Sequence, residues 1–344
     1  MLSILLPSFF LYLFSMFNIL GIKKYLFINQ IIFLALSLIA YFVIKKYGRT
    51  FFQLNTYLLY WFFILTLVFT YVLGLEVKGS RRWIDLKVFN FQPSEFFKVF
   101  FILFMAHLLS RKYRGVNEFF VFLVSIFYFI IPTFIIFKQP DLGNALVYVS
   151  IFVTMLLFSS LPKRYLIYIA IFLIVTLPFS WFLLKDYQRA RVLSFVRPGV
   201  SQQGSSYNMI QAIITTGSGQ FVGRGLGLGT QSRLYFLPEN HTDFAYASLV
   251  EQFGFFGGFI VIILYIFLVF RLCIKAINLF MRRDENSRES FLFVMGFISY
   301  IVFQITVNIG MNIGLVPVAG IALPFISYGG SSLMALFMGM AFLP

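Results

Sequence analysis

The chain has 344 residues, 60% of them hydrophobic and 11% charged, with 49 Phe and a mean hydropathy of +0.90. That balance excludes an ordinary soluble domain, whose apolar share is near one half, and marks an integral membrane protein. The single Cys273 excludes an intramolecular disulfide, the distant His107 and His241 argue against structural zinc, and the net charge of +15 reads as a topology and lipid signal rather than a nucleic-acid footprint.

A hydrocarbon core about 30 Å thick takes roughly 20 helical residues to cross. Ten segments meet that requirement, at 3–22, 25–44, 54–75, 93–110, 117–137, 143–161, 165–184, 244–270, 291–309 and 325–344. The fourth and the last are the least apolar. The N-terminal segment has no basic n-region and no small-residue cleavage site, so it reads as a retained first span. One set of loops carries Lys45, Lys46, Arg49, Arg111, Lys112, Arg114, Lys163, Arg164, Arg271, Lys275, Arg282, Arg283 and Arg288, thirteen cations. The opposite short loops carry seven: Lys23, Lys24, Lys78, Arg81, Arg82, Lys87 and Lys138. Cytoplasmic loops hold the excess, so both termini are expected inside and the long connection 185–243 outside. Without an internal repeat, the expectation is an all-α membrane domain over 1–344 that includes this large loop.

Acidic residues sort to the external side, among them Glu76, Asp85, Asp141, Asp186, Glu239 and Asp243, with Glu95 and Glu251 just inside span ends. Four polar islands follow in chain order. In 79–99, Trp83 beside Arg81 and Arg82 suits an interfacial anchor. Pro93 and Ser94 can start a helix, which sets Glu95 and Lys98 three apart on one face. Charges at membrane depth are functional candidates unless they form a structural ion pair, and both readings stand here. In 137–145, Asp141 suits a cap of the sixth span or a place in an external cavity.

The third island, 207–244, carries six glycines between 217 and 229 that permit tight turns and close approach to a ligand. They do not form a dinucleotide fingerprint. Arg189, Arg191, Arg197, Arg224 and Arg233 give this loop a cationic face suited to an anionic headgroup. It ends in "FLPENHTDFAYASLVEQ", which gathers Glu239, His241, Asp243 and Glu251 at the outer end of the eighth span. In the fourth, 308–333, Gly310, Gly314, Pro317, Gly320, Pro324, Gly329 and Gly330 break the helix at membrane depth. Such backbone is tolerated only inside protein or against a water-filled cavity, so a cavity opening outward is expected.

Together "RRWI…FQPSEFFK", "KQPDLG", "GTQSRLYFLPENHTDF" and "NIGMNIGLVPVAGIALPFISYGGSSL" resemble, in order, the motifs of the SEDS family (shape, elongation, division and sporulation). "GTQ" and "FLPE" lean to its RodA-like elongation branch. The resemblance implies ten spans and a peptidoglycan glycosyltransferase that polymerises lipid II at the outer face of the bacterial cytoplasmic membrane. It also implies a class B penicillin-binding protein as partner. By motif, Asp243 matches the family's essential aspartate. Trp83 matches the tryptophan of the first large external loop, and Glu95 and Lys98 fall on the family's cavity-lining charged pair. Beside these, Gln139, Asp141, Arg224, Arg233, His241 and Ser327 are candidate substrate-binding or cavity-lining residues. Two departures stand out: Val250, Glu251 and Gln252 replace the family's Gly-Glu-Glu, and Gln211-Ala212 replaces its Gln-Ser.

A sugar held on a diphosphate can leave without a protonating acid, so one carboxylate suffices as base, within about 3 Å of the attacking hydroxyl. Asp243 is the expected base in an inverting displacement. Lys98 and an arginine of the long loop would hold the leaving diphosphate; no cofactor is required from the sequence, and a divalent cation could share this role. The rival readings are a lipid II flippase and a scaffold that recruits the penicillin-binding protein. Acids gathered on one face favour the enzyme, because a translocation path carries polar groups through the whole thickness.

Overall fold

In the computed structural model the described residues are 2–77, 80–87, 89–110, 117–184, 189, 193, 195, 205–282 and 284–344. Lys78, Arg111, Lys112, Arg114, Asp186, Arg191, Arg197 and Arg283, all part of the expectations above, lie outside them. The chain is nearly all helical. Helices run over α1 (Leu2–Ile22), α2 (Lys24–Leu54), α3 (Thr56–Leu73), α4 (Pro93–Ser110), α5 (Glu118–Lys138), α6 (Leu142–Phe158) and α7 (Arg164–Leu183). They continue with α8 (Ser205–Ser218), the single turn α9 (Thr230–Arg233), α10 (Ala245–Met281), α11 (Glu285–Asn312) and α12 (Gly330–Ala341).

Every expected span falls on a helix. Among the described residues, α1 to α5, α10 and α11 are the seven helices long and apolar enough to cross a membrane. The tenth expected span, 325–344, is shorter than expected: α12 has 12 residues, about 18 Å at 1.5 Å per residue. Its glycine-rich approach supplies no earlier helical turns. The weak apolarity of 93–110 also has a physical reason. All of α4 except His107 is buried, so protein surrounds it on every side, and its neighbours rather than lipid set its composition.

The sequence reading missed a small sheet. Strands β1 (Leu75–Val77), β2 (Ser80–Asp85) and β3 (Asn90–Phe91) pair antiparallel in the order β1-β2-β3. Trp83 stands opposite Leu75, and Ile84 opposite Phe91. Strands this short carry almost no periodic signal.

The fold divides into two compact units. The first comprises 1–31, 167–269 and 304–328; near its catalytic candidates, Met209, Ala212, Leu237, Phe244, Ala247 and Met311 form a buried apolar cluster. Ala212 is fully buried there, so the place of the family's Ser is an apolar packing position in this chain. The second comprises 32–166, 270–303 and 329–344. Its core is α4 with aromatic neighbours: the Tyr60 ring lies 4.5 Å from Phe104, and the Tyr60 hydroxyl donates to the Tyr128 carbonyl at 2.7 Å.

Candidate active site

Asp243 sits half-buried in the turn that leads into α10. Its main-chain carbonyl accepts from Asn308 Nδ2 at 2.9 Å and Asn312 Nδ2 at 3.2 Å. These two asparagines are one turn apart on α11, so both amides reach the same face. Asn312 Oδ1 also accepts from the Ala247 N–H at 2.9 Å, satisfying a backbone donor in the first turn of α10. The residues on either side are held as firmly. Ser327 Oγ donates to the Thr242 carbonyl at 2.6 Å and accepts from Leu323 N at 2.7 Å, while Tyr328 N donates to the His241 carbonyl at 2.8 Å.

Glu239 closes the turn: its carbonyl accepts from Thr242 N and Phe244 N, and its Oε2 accepts from Thr242 Oγ1 at 2.8 Å. Glu239 thus serves as a turn-closing group. His241 Nδ1 lies 3.0 Å from Asn240 Oδ1, and its ring meets Tyr328 edge-on at 5.6 Å. Each main-chain neighbour of Asp243 is therefore fixed.

The glycine-rich segment before it has an unexpected use. At Gly254, with φ 72°, α10 is broken, and residues 220–225 bond into the break. Arg224 N and Gly225 N donate to the carbonyls of Glu251 and Gln252, and Phe255 N and Phe256 N donate to those of Gln220 and Phe221. An unbroken helix would join Glu251 to Phe255 and Gln252 to Phe256, so the loop satisfies both ends of two opened helical bonds. The close approach for which the glycines suit the chain is made to this helix backbone. A Cβ on Gly254 would come within 2.3 Å of Gly223 N and Phe221 O. Gly254→Ala is expected to destabilise the protein by about 2 kcal/mol or more, through clash and positive φ together. A fall in the thermal midpoint in detergent measures it.

Glu251 and Gln252 hold the same loop with their side chains. Glu251, fully buried, accepts from Gln231 N at 2.8 Å, Ser232 N at 2.9 Å and Ser232 Oγ at 2.6 Å. Gln252 accepts from Gly227 N with its Oε1 and donates through Nε2 to Asn18 Oδ1 at 2.7 Å. An ionised glutamate at 252 has no donor for Asn18, so the departure from Gly-Glu-Glu is matched by its partners. Glu251→Ala leaves two backbone donors without an acceptor, at about 1–3 kcal/mol each; faster proteolysis within 219–240 than in the parent is the expected result.

Arg224 and Arg233 are exposed. Arg224 Nε donates to the Ser218 carbonyl at 3.2 Å and Arg233 Nη1 to the Gly227 carbonyl at 3.2 Å. Among the described residues neither is paired with a carboxylate.

In the second unit, Lys98 Nζ lies 2.6 Å from Glu95 Oε1, with the lysine fully buried and its ammonium 5.0 Å from the Tyr300 ring centre. Among the described residues, Glu95 Oε2 and Tyr300 Oη are buried without hydrogen-bond partners. Asp141 caps α6, accepting from Asn144 N at 3.2 Å and Asn144 Nδ2 at 2.8 Å. It also lies 3.5 Å from Arg82 Nη1. Arg82 further donates to the carbonyls of Gln139 and Pro140, and Gln139 Nε2 donates to the Leu67 carbonyl. Arg82 thus ties β2, which carries the half-buried Trp83, to the start of α6.

The structure therefore gathers Asp243, His241, Ser327, Arg224 and Arg233 in one unit, and Trp83, Glu95, Lys98, Gln139 and Asp141 in the other. Sequence reasoning read Arg82 as part of an interfacial anchor without its tie to Asp141, and it missed Asn308 and Asn312. The asparagines carried a signal: two amides four apart in an otherwise apolar helix require partners at membrane depth. Among the described residues no group of three or more His, Cys, Asp or Glu side chains is placed to hold a metal ion.

The family described as "Cell cycle protein", FtsW/RodA/SpoVE, matches residues 1–344. A "Probable peptidoglycan glycosyltransferase FtsW" of Hydrogenovibrio crunogenus is 34% identical over 317 residues, 91% of this chain and 80% of its own. The "Peptidoglycan glycosyltransferase MrdB" of Escherichia coli K12 is 38% identical over 288 residues, 82% of this chain and 74% of its own. A structure described as "Structural coordination of polymerization and crosslinking by a peptidoglycan synthase complex" aligns at TM-score 0.83 and 27% identity, over 100% of this chain and 96% of that one. The rod shape determining protein RodA of Thermus thermophilus aligns at TM-score 0.73 and 24% identity, over 100% of this chain and 95% of its own, a likeness of fold.

Proposed function

The chain belongs to the FtsW/RodA/SpoVE cell cycle family and is a multi-pass membrane peptidoglycan glycosyltransferase, and on that premise we propose that it polymerises lipid II at the outer face of the cytoplasmic membrane with Asp243 as base. The Asp243 carboxylate takes the proton of the acceptor's 4-hydroxyl as that oxygen bonds to the anomeric carbon of the donor. The bond from that carbon to the diphosphate breaks, and its electron pair leaves with the diphosphate. One displacement inverts the anomeric centre.

The observation that carries this reading is the fixed turn around Asp243, whose carbonyl is held by Asn308 and Asn312. Backbone fixed on both sides suits a group that must meet a hydroxyl within about 3 Å. For the leaving diphosphate, Arg224 and Arg233 are better supplied than Lys98. Their charges have no carboxylate partner among the described residues, whereas Glu95 already balances Lys98. Trp83, Gln139, Asp141, His241 and Ser327 remain proposed to line or support the substrate's path. Structurally, Ser327 supports the Thr242 backbone and Asp141 the start of α6.

The orientation proposed is the one the charge asymmetry gives, with both termini cytoplasmic. "GTQ" and "FLPE" at 229–231 and 236–239 support the elongation branch. The solved synthase complex supports a crosslinking partner, for which the motif resemblance implies the class B penicillin-binding type.

Purified protein with lipid II in detergent tests the activity, because no membrane remains to cross. Glycan polymer supports the enzyme; lipid II left unchanged supports the flippase. A growth defect in a variant that still binds its partner but makes no polymer would contradict the scaffold reading.

A further inference from the structure

Asn240, immediately before His241, is buried, and it is bonded through its main chain and through both ends of its amide. Its main-chain carbonyl accepts from Ser248 Oγ at 2.6 Å. Its Nδ2 donates to the Ser232 carbonyl at 2.5 Å, and its Oδ1 lies 3.0 Å from His241 Nδ1. Ser232 is itself fixed, because its N–H and its hydroxyl both donate to the buried Glu251 carboxylate. A continuous chain of bonds therefore runs from Glu251 on α10 through Ser232 and Asn240 to the His241 ring, all within the first unit.

The direction of each bond follows from which groups carry protons. A carbonyl oxygen only accepts, so the Asn240 atom that meets the Ser232 carbonyl is the amide nitrogen. Turning the amide over would bring two acceptors to 2.5 Å and cost a buried hydrogen bond. The other end of the amide is therefore the oxygen, which takes a proton from its neighbour. That neighbour is His241 Nδ1, so the ring proton is on Nδ1. A neutral imidazole carries one N–H, and the hydrogen bond at one ring nitrogen sets the state of the other. Nε2 is then the acceptor nitrogen of the neutral ring, whether its donor is a group of the protein or an O–H or N–H of the saccharide. Tyr328 meets the same ring edge-on at 5.6 Å, and the acids Glu239 and Asp243 share its turn.

We propose that Asn240 is a positioning residue of the transferase, which holds His241 in the Nδ1–H form beside the proposed base. Glu251 and Ser232 act behind it by fixing which way the amide faces. The consequence for the reaction rests on Asp243 being the base of the same turn; the tautomer rests on the hydrogen bonds alone.

The test is the ¹⁵N spectrum of the purified full chain in detergent, labelled at histidine, at a pH alkaline enough for neutral imidazole. The chain has two histidines, so His241→Gln identifies the His241 signals by their loss. Nδ1 of His241 is expected to show the shift of a protonated nitrogen and Nε2 that of an unprotonated one. The reverse assignment, or an equal mixture, overturns the proposal without any variant having to fold. Asn240→Leu should move the ring toward the Nε2–H form and slow lipid II polymerisation about five- to tenfold, the effect of one hydrogen bond. Asn240→Asp also lacks the amide for Ser232, yet it keeps an oxygen for Nδ1. It should therefore retain the wild-type tautomer and polymerise within about twofold of the wild type, whereas stability alone would slow both variants. A wild-type spectrum in the leucine variant, a changed spectrum with an unchanged rate, or equal slowing of the two variants would each overturn the proposal. Failure of Asp243→Asn to slow polymerisation would remove the base and leave the His241 spectrum as it is, so the two proposals fail separately.

Discussion

Asp243→Asn is expected to lower polymerisation of lipid II by about 10²- to 10⁴-fold, the usual contribution of a positioned general base. The substitution preserves shape and removes the ability to accept the acceptor's proton. Because Asn308 and Asn312 bind the main-chain carbonyl of residue 243, the turn should survive, and the melting temperature of the purified variant should stay at the wild-type value. The measurement is the initial rate of glycan chain formation from lipid II in detergent. A variant that is folded and polymerises at the wild-type rate removes Asp243 as the base. A second comparison separates chemistry from support. Asn312→Leu withdraws the amide from the Asp243 carbonyl and the acceptor from Ala247 N, so it should lower the melting temperature as well as the rate.

The second large effect is expected at Glu95 and Lys98. Removing one partner of a buried ion pair leaves an uncompensated charge and costs about 3–5 kcal/mol. Lys98 is fully buried and its ammonium meets Glu95 at 2.6 Å, so Lys98→Met alone should fall in this range and be recovered poorly from membranes. The double variant Glu95→Gln with Lys98→Met removes both charges and should regain most of the stability. Thermal melting of the purified proteins measures that recovery. Polymerisation by the double variant then decides the role of the pair. A stable but inactive double variant shows that the charges serve the reaction, and a stable, active one shows a purely structural pair.

Membrane class and span positions were legible in the sequence for a simple reason. Hydrocarbon leaves the backbone no partners but its own, so apolar runs of sufficient length become helices. The nine expected spans before 325–344 fall on helices for that reason. The same reasoning fails at 325–344, where α12 has 12 residues: an apolar segment can also lie in irregular backbone when protein surrounds it. It failed again at 75–91, where three short strands set Trp83 in a sheet.

The local chemistry was legible at the level of residue identity. Glu95 and Lys98 do pair, because helical spacing alone brings residues three apart together. Asp141 does cap α6, because capping is a local bond. What spacing could not show was who holds the candidate base. Asn308 and Asn312 reach the Asp243 carbonyl from 65 and 69 positions away, and Glu251 holds Ser232 from 19. Nor could it show that the glycines of 217–229 serve a break in α10 at Gly254, a backbone exchange that exists only once the loop is docked. The sequence by itself determined the helices, the charge asymmetry and the carboxylate to test, since these follow from solvent and short-range spacing. Only the tertiary structure decided how the main chain of Asp243 is held and that Arg224 and Arg233 have no carboxylate partner among the described residues, because both depend on bonds between segments far apart in the chain.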